Sequence, residues 1–309
     1  LHGFINILKP PGMTSHDVVV FVRKIYRNSR VGHGGTLDPG AAGVLPIMVG
    51  KATRLSSILL DYPKVYRAEL KLGTVTDTDD CSGRVLSQKD VPALKLEDIE
   101  AVLDRFRGNI RQLPPMVSAV KVKGKKLYQY ARQGAVVERK PREVKIYSLN
   151  VVKYVPPERV LLEADCSKGT YMRVLCAQIG EELRCGGHMS FLLRKKAGRF
   201  ELPEAYTLEE VDYYRRNLRL NEILLPVDYV LADMDKLLLG KHSVKRLCQG
   251  GHLSLEAVLQ ETGDTIPGPV DGKLVPVYTT KKEFVALARW KSVGKSVFLL
   301  KPEKVFKSI

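Results

Sequence analysis

The run Val31 to Arg54, VGHGGTLDPGAAGVLPIMVGKATR, holds one aspartate, Asp38, in a setting suited to chemistry. Gly32, Gly34 and Gly35 strip side-chain bulk from the backbone ahead of the carboxylate, and Pro39 stiffens it behind. A ligand can approach main chain and acid together in such a loop, where a carboxylate serves as nucleophile, base or electrostatic stabiliser. An Asp before a Pro is commonly only a turn residue bonding its own backbone. A plain turn, however, has no need of His33 upstream or of the glycine-punctuated apolar stretch downstream. A phosphate-cradling loop is the weaker reading: Gly50, Lys51, Ala52 and Thr53 lack P-loop spacing, and no GxGxxG follows a clear strand.

Other reactive side chains narrow the chemistry. Cys81, Cys166, Cys176, Cys185 and Cys248 are an odd set without CxxC spacing, which argues against a disulfide framework and a four-ligand zinc site. Cys176, Cys185 and His188 are read as core residues rather than a metal site, so no metal is expected. The formal net charge of +16 predicts a polyanionic partner. The densest basic stretch, Lys121 to Lys145 (KVKGKKLYQYARQGAVVERKPREVK), interleaves Tyr128 and Tyr130 with cations. That mixture suits a nucleic acid with exposed bases, since cations neutralise phosphates and tyrosine rings stack on unpaired bases. A solvated basic face is the plainer alternative.

The elements that must carry these residues can be read from periodicity. Ser15 is expected to cap a helix in which Val18, Phe21, Val22 and Ile25 share a face. VYRAELKLG alternates as a strand, turning Tyr66 inward with Ala68, Leu70 and Leu72. LEDIEAVLDRFRG reads as a helix on Leu96, Ile99, Leu103 and Phe106, ending at Gly108. Pro114 and Pro115 break regular structure and put the basic stretch on an excursion. VLLEADC is a strand, SKGT a turn, and YMRVLCAQIGEEL a helix with Arg173 in its first turn. Thr207 and Glu210 form a capping box. A boundary near Leu231 to Asp235 precedes a small β-rich module with a short helix at SVKRLCQ and strands at FVALARW and KSVFLLKP. The chain lacks a signal-peptide pattern and any apolar run of about 18 residues, so a cytoplasmic location without membrane contact is expected.

The motif set resembles the TruB-type tRNA pseudouridine synthases with a C-terminal PUA-like RNA-binding module. The matching segments are KPPGMTS (Lys9 to Ser15), the aspartate run, KVYRAELKLG (Lys64 to Gly73), LPPMVSA (Leu113 to Ala119), GTYMRVL (Gly169 to Leu175) and LLRKKAGRF (Leu192 to Phe200). The resemblance implies an α+β pseudouridine synthase fold, a mixed and largely antiparallel central sheet flanked by helices and loops, with a small β-barrel-like PUA domain. It implies a catalytic domain over residues 1–232, with an RNA-gripping insertion around 112–145, and an RNA-binding domain over 233–309.

The activity so implied is isomerisation of the T-loop uridine 55 of tRNA after the base is flipped out of the fold, with no cofactor. By the same resemblance Asp38 is the catalytic carboxylate, and Arg173 pairs with it. Tyr66 stacks on the flipped base and helps remove its C5 proton, and His33 fills space in the disrupted loop. Substrate or RNA contacts are further implied for Lys9, Gly34, Tyr171, Leu192, Lys121, Lys123, Lys125, Lys126, Tyr128 and Arg132. The T arm and acceptor stem of tRNA are the expected partners, the stem held by the C-terminal module, with no obligate protein partner. The absence of an extension ahead of KPPGMTS favours a stand-alone enzyme over the catalytic subunit of a guide-RNA particle. A non-catalytic RNA-binding or RNA-folding protein is the alternative of a different class.

Overall fold

The computed structural model describes residues 1–27, 29–118, 120–122, 124–135, 137–262, 268–294 and 297–307. Its contacts divide the chain into two compact units, Gly3–Leu224 and Leu225–Ile309. The division falls ahead of the Leu231 to Asp235 stretch because Asp228 already belongs to the second unit, its Oδ2 accepting from the Tyr278 hydroxyl at 2.9 Å.

In the first unit the strands begin with β1 (Gly3–Lys9), β2 (Val31–His33), β3 (Ala42–Val49), β4 (Lys64–Leu72), β5 (Thr74–Thr76) and β6 (Val85–Gln88). They continue with β7 (Gly108–Gln112), β8 (Lys121–Val122), β9 (Lys125–Lys126), β10 (Arg142–Val155), β11 (Arg159–Cys166), β12 (Gly187–Ala197) and β13 (Phe200–Glu201). The main sheet runs β1-β3-β12-β4-β11-β10-β7, with β2 added to β3 and β13 to β12. All its pairings are antiparallel except β3 with β12, where Ala42 faces Leu193 and Gly43 faces Arg194. Gly43 has φ +118, and a Cβ there would lie 2.3 Å from the Arg194 carbonyl oxygen, so this parallel contact requires glycine.

Strict alternation along β4 buries Tyr66, Ala68, Leu70 and Leu72 while Arg67, Glu69 and Lys71 stay partly exposed. This is the expected consequence of one covered sheet face. The helices of this unit are α1 (Ser15–Ile25), α2 (Ser56–Asp61), α3 (Leu96–Asp104), α4 (Leu127–Arg132), α5 (Met172–Glu182) and α6 (Leu208–Arg216). The core beneath β4 and β11 takes Ile99 and Leu103 from α3 and Leu175 and Ile179 from α5. A second core joins Val18 and Val22 of α1 and Val211 of α6 to Ile5, Ile7, Leu45 and Ile47 of β1 and β3.

Two local expectations change. Thr14, not Ser15, caps α1: its hydroxyl accepts from the Asp17 N–H at 3.1 Å and the Asp17 carboxylate accepts from the Thr14 N–H at 2.8 Å. Ser15 is thereby freed for a tether described below. The third helix stops at Asp104 rather than Gly108, which at φ +86 opens β7, and Leu96 lies 46% exposed instead of joining the core.

The second unit contains β14 (Leu237–Leu239), α7 (Lys241–Cys248), β15 (Leu253–Ser254), α8 (Leu255–Thr262), β16 (Leu274–Thr279), β17 (Phe284–Gly294) and β18 (Val297–Val305). Its curled half-barrel sheet, β14-β16-β17-β18-β15, closes on Val277, Ala286, Trp290 and Leu300, with Val244 and Leu247 of α7 and Val258 of α8. Lys295 and Ser296 of the expected KSVFLLKP strand lie outside the described residues. No helix among the described residues is long and apolar enough to cross a membrane.

Candidate active site

Asp38 lies on the loop between β2 and β3, and that loop is interlocked with the turn after β1. Ser15 Oγ accepts from the Leu37 N–H at 2.8 Å and donates to the Leu37 carbonyl at 3.1 Å, gripping both backbone groups of the residue before Asp38. The Gly12 N–H donates to the Pro39 carbonyl at 2.8 Å. Lys9 is fully buried, its Nζ donating to the carbonyls of Pro10 (2.8 Å), Met13 (2.6 Å) and Pro39 (3.2 Å). Burial pulls its pKa down to about 8. This corrects the expectation of an RNA contact at Lys9: all three donors are spent on the loop, and the side chain does not reach the surface. Gly34 acts through close approach, since its N–H donates to the Pro46 carbonyl at 2.8 Å and a Cβ would sit 2.5 Å from Leu59.

Arg173, the second residue of α5, meets Asp38 with two nitrogens, Nε to Oδ2 at 3.0 Å and Nη2 to Oδ1 at 3.4 Å. The Arg173 side chain is 3% exposed, whereas that of Asp38 is 38% exposed, so the acid faces outward from a buried cation. The same guanidinium donates from Nη2 to the Val117 carbonyl at 2.9 Å and lies 3.5 Å from Asp80 Oδ2 through Nη1. Burial pushes the Asp38 carboxyl up; Arg173 draws it back down, Asp80 pushes it up again and Lys9 lowers it. Asp80 escapes sequence reading because the run DTDDCSG signals only a turn; its Oδ1 indeed takes bonds from Thr78 and Ser82.

A cavity of about 260 Å³ opens beside this pair, lined by Asp38, Tyr66, Tyr171, Arg173, Leu192 and Arg194 among others. That is just below the roughly 300–1,000 Å³ usual for ligand pockets, so it admits only a small group. Tyr66 projects from β4 at 9% exposure; burial raises its phenol pKa, and the Arg194 guanidinium opposes that rise. Tyr171 precedes α5 and is held by buried Gln112, which donates to its carbonyl at 3.2 Å and accepts from its N–H at 2.9 Å. Gln112 was not legible, because one amide at a strand end carries no sequence signal. Arg194 did leave one: it lies two residues from Leu192 on a strand and therefore on the same face.

His33 does not enter this cavity. It lines a separate open depression with Arg23 and Arg30, its Nδ1 buried and unpartnered among the described residues, and burial lowers its pKa. Of the basic excursion, Lys121, Lys125 and Arg132 are exposed and Lys126 half-buried. Lys126 Nζ and Arg132 Cζ lie 5.6 and 5.4 Å from the Tyr128 ring centre, so that ring is already engaged by cations. Lys123 lies outside the described residues. The excursion is tied to the arginine's neighbourhood, the Tyr128 N–H donating to the Ser118 carbonyl at 3.0 Å beside Val117. Cys176 and Cys185 pack in the core, His188 Nδ1 lies 2.8 Å from the Thr74 carbonyl, and no metal-binding cluster is present among the described residues.

Comparisons with known proteins agree with this geometry. A model of the TruB family pseudouridylate synthase N-terminal domain matches residues 23–172, and one of the tRNA pseudouridylate synthase B C-terminal domain matches residues 173–232. Among curated relatives, tRNA pseudouridine synthase B of Alkaliphilus oremlandii is 48% identical over 285 residues, 92% of each chain. That of Heliobacterium modesticaldum is 45% identical over 309 residues, covering 99% of this chain and 96% of the relative. The crystal structure of a Cbf5-Nop10-Gar1 complex contains a chain 30% identical with TM-score 0.75, covering 99% of this chain and 85% of that one. The α+β pseudouridine synthase fold with a PUA-like half-barrel is thus shared along the chain. With its two family models covering residues 23–232 in succession, the chain belongs to the TruB family of pseudouridylate synthases.

Proposed function

We propose that this protein converts uridine 55 in the T loop of tRNA to pseudouridine, acting alone in the cytoplasm without a guide RNA. The observation that carries this reading is the outward-facing Asp38 carboxylate clamped by buried Arg173 at a cavity of base size that also contains Tyr66. Relatives at 45–48% identity are tRNA pseudouridine synthases, whereas the Cbf5 neighbour, found in a protein complex, is 30% identical. That difference supports the stand-alone reading.

The reaction conserves the composition of its substrate: the N1–C1′ bond breaks, the uracil turns, C5 bonds to C1′, the C5 proton leaves and N1 takes up a proton. No redox step is involved. Asp38 serves as the catalytic carboxylate, held ionised by Arg173. Tyr66 and Leu192 sandwich the flipped base, and Tyr66 takes the C5 proton. Tyr171, fixed by Gln112, lines the sugar side. The exposed cations Lys121, Lys125 and Arg132 hold phosphates of the T arm, with His33 and Gly34 at the opened loop, and residues 225–309 hold the acceptor stem.

The test is to incubate the pure protein with unmodified tRNA transcript and to map pseudouridine by carbodiimide treatment and primer extension. The reading predicts a stop reporting position 55 with no RNA added. Modification at another position, or only with added guide RNA, overturns it.

A further inference from the structure

Arg194 is 1% exposed, and no carboxylate lies within ion-pair distance of it among the described residues. A buried cation without an anion is costly, and such charges are ordinarily paired or spread over hydrogen bonds. Arg194 has two such bonds to backbone: Nε donates to the Val44 carbonyl at 2.6 Å and Nη2 to the Gly35 carbonyl at 3.1 Å. These fix the guanidinium between β3 and the aspartate loop. Its direct cross-strand partner on β4 is Tyr66, with both side chains on the cavity face.

The charges around Tyr66 leave Arg194 a distinct part. Asp38 from the loop and Cys166 from β11 both disfavour a phenolate, whereas the Arg194 guanidinium, across from Tyr66 on β12, favours it. Lys64, on Tyr66's own strand, is turned away, its Nζ donating to the Leu60 and Tyr62 carbonyls at 2.6 and 2.5 Å. Lys9 is likewise occupied. A buried tyrosine that accepts a proton must first be an anion, and a fixed neighbouring cation is what makes that anion accessible.

We propose that Arg194 is a positioning residue for the isomerisation: its guanidinium, fixed by the Val44 and Gly35 carbonyls, holds the Tyr66 oxygen at the cavity wall and carries the compensating charge while that oxygen takes the C5 proton. The C5–H bond breaks as the Tyr66 O–H bond forms; its electron pair restores the C5–C6 double bond of the uracil, the N1–C6 pair returns to N1, and N1 takes a proton from solvent. The phenol returns its proton to solvent when product leaves. This inference rests on Tyr66 being the base in the proposed reaction.

The experiment compares full-length wild type with Arg194→Gln, which keeps donors for the carbonyls but removes the charge. Single-turnover tritium release from tRNA labelled at uridine C5 is followed across pH, beside tRNA affinity. The expected loss at neutral pH is about 10- to 100-fold, the scale of one charge-assisted hydrogen bond, with affinity almost unchanged. The loss shrinks as pH rises and phenolate becomes available without help. An equal loss at every pH, the signature of mere bracing of the loop, overturns the inference.

Should Arg194→Gln fail to fold, thermal unfolding of Arg194→Lys, Tyr66→Phe and the double variant decides. Coupled losses are expected, and strictly additive ones overturn the inference. A wild type that leaves tRNA unmodified would remove the parent reading as well. An active wild type with a pH-independent loss in the variant removes this inference alone.

Discussion

Replacing Arg173 by methionine keeps most of the side-chain volume and removes the only cation in ion-pair contact with Asp38 among the described residues. With nitrogen to oxygen distances of 3.0 and 3.4 Å, the charge centres lie near 4 Å, worth about 4 kcal/mol at an effective dielectric of 20. Asp38 is 38% exposed, so solvent screening leaves roughly half of that, about 2 kcal/mol or a 30-fold effect on rate. The sign follows from what remains: burial and Asp80 both push the Asp38 carboxyl up once Arg173 no longer draws it down. The protonated, inactive fraction therefore grows, and the loss is greatest at low pH and shrinks as pH rises. Single-turnover tritium release across pH reads the rate, and filter binding reads tRNA affinity, which should change by no more than about 3-fold, since Arg173 is 3% exposed and its guanidinium is engaged by Asp38, Asp80 and the Val117 carbonyl. A loss independent of pH, or an equal loss of affinity, would refute this account of the pair.

Asp80→Asn should act in the opposite sense. Removing the charge that raises the Asp38 carboxyl moves the acid limb of the rate profile to lower pH, and a limb that stays or moves up contradicts the three-membered arrangement. Gly43→Ala should cost about 2–4 kcal/mol, from positive φ and a Cβ against the Arg194 backbone, lowering Tm by roughly 5–10 °C; an unchanged melting curve would show that the parallel contact yields easily. Burial pushes the Cys166 and Cys176 thiols up to about 12, while Cys81 is exposed. Ellman's reagent at pH near 8 should therefore modify Cys81 quickly, and Cys166 and Cys176 only after denaturation; rapid native labelling of either would place them wrongly in the core.

Residues whose part is set locally could be read from the sequence. Glycines before Asp38 announce a close backbone approach, alternation turns Tyr66 inward, and the GTYM turn puts Arg173 at a helix start. What could not be read is set by partners far along the chain. Asp80 matters because the guanidinium of Arg173 reaches it, and Gln112 because Tyr171 lies opposite; for Arg194 only the face shared with Leu192 is local, its place across from Tyr66 arising because β12 runs beside β4. Lys9 shows the converse error: a lysine in a family motif looks like an RNA contact until its three carbonyl partners are seen. Residue type does not separate Ser15 from Thr14 as a cap, since both suit that position; the Asp17 capping box on Thr14 and the Leu37 tether on Ser15 do.

The central claim is that Asp38 performs the isomerisation rather than binding the RNA. It is tested most directly by Asp38→Asn, which keeps the size and much of the hydrogen bonding of the side chain, assayed beside wild type for tritium release from C5-labelled tRNA and for tRNA affinity. The account predicts that wild type releases the label from one uridine per tRNA, while Asp38→Asn binds with affinity within about 3-fold of wild type and releases none. Release by Asp38→Asn at a rate near that of wild type would contradict it.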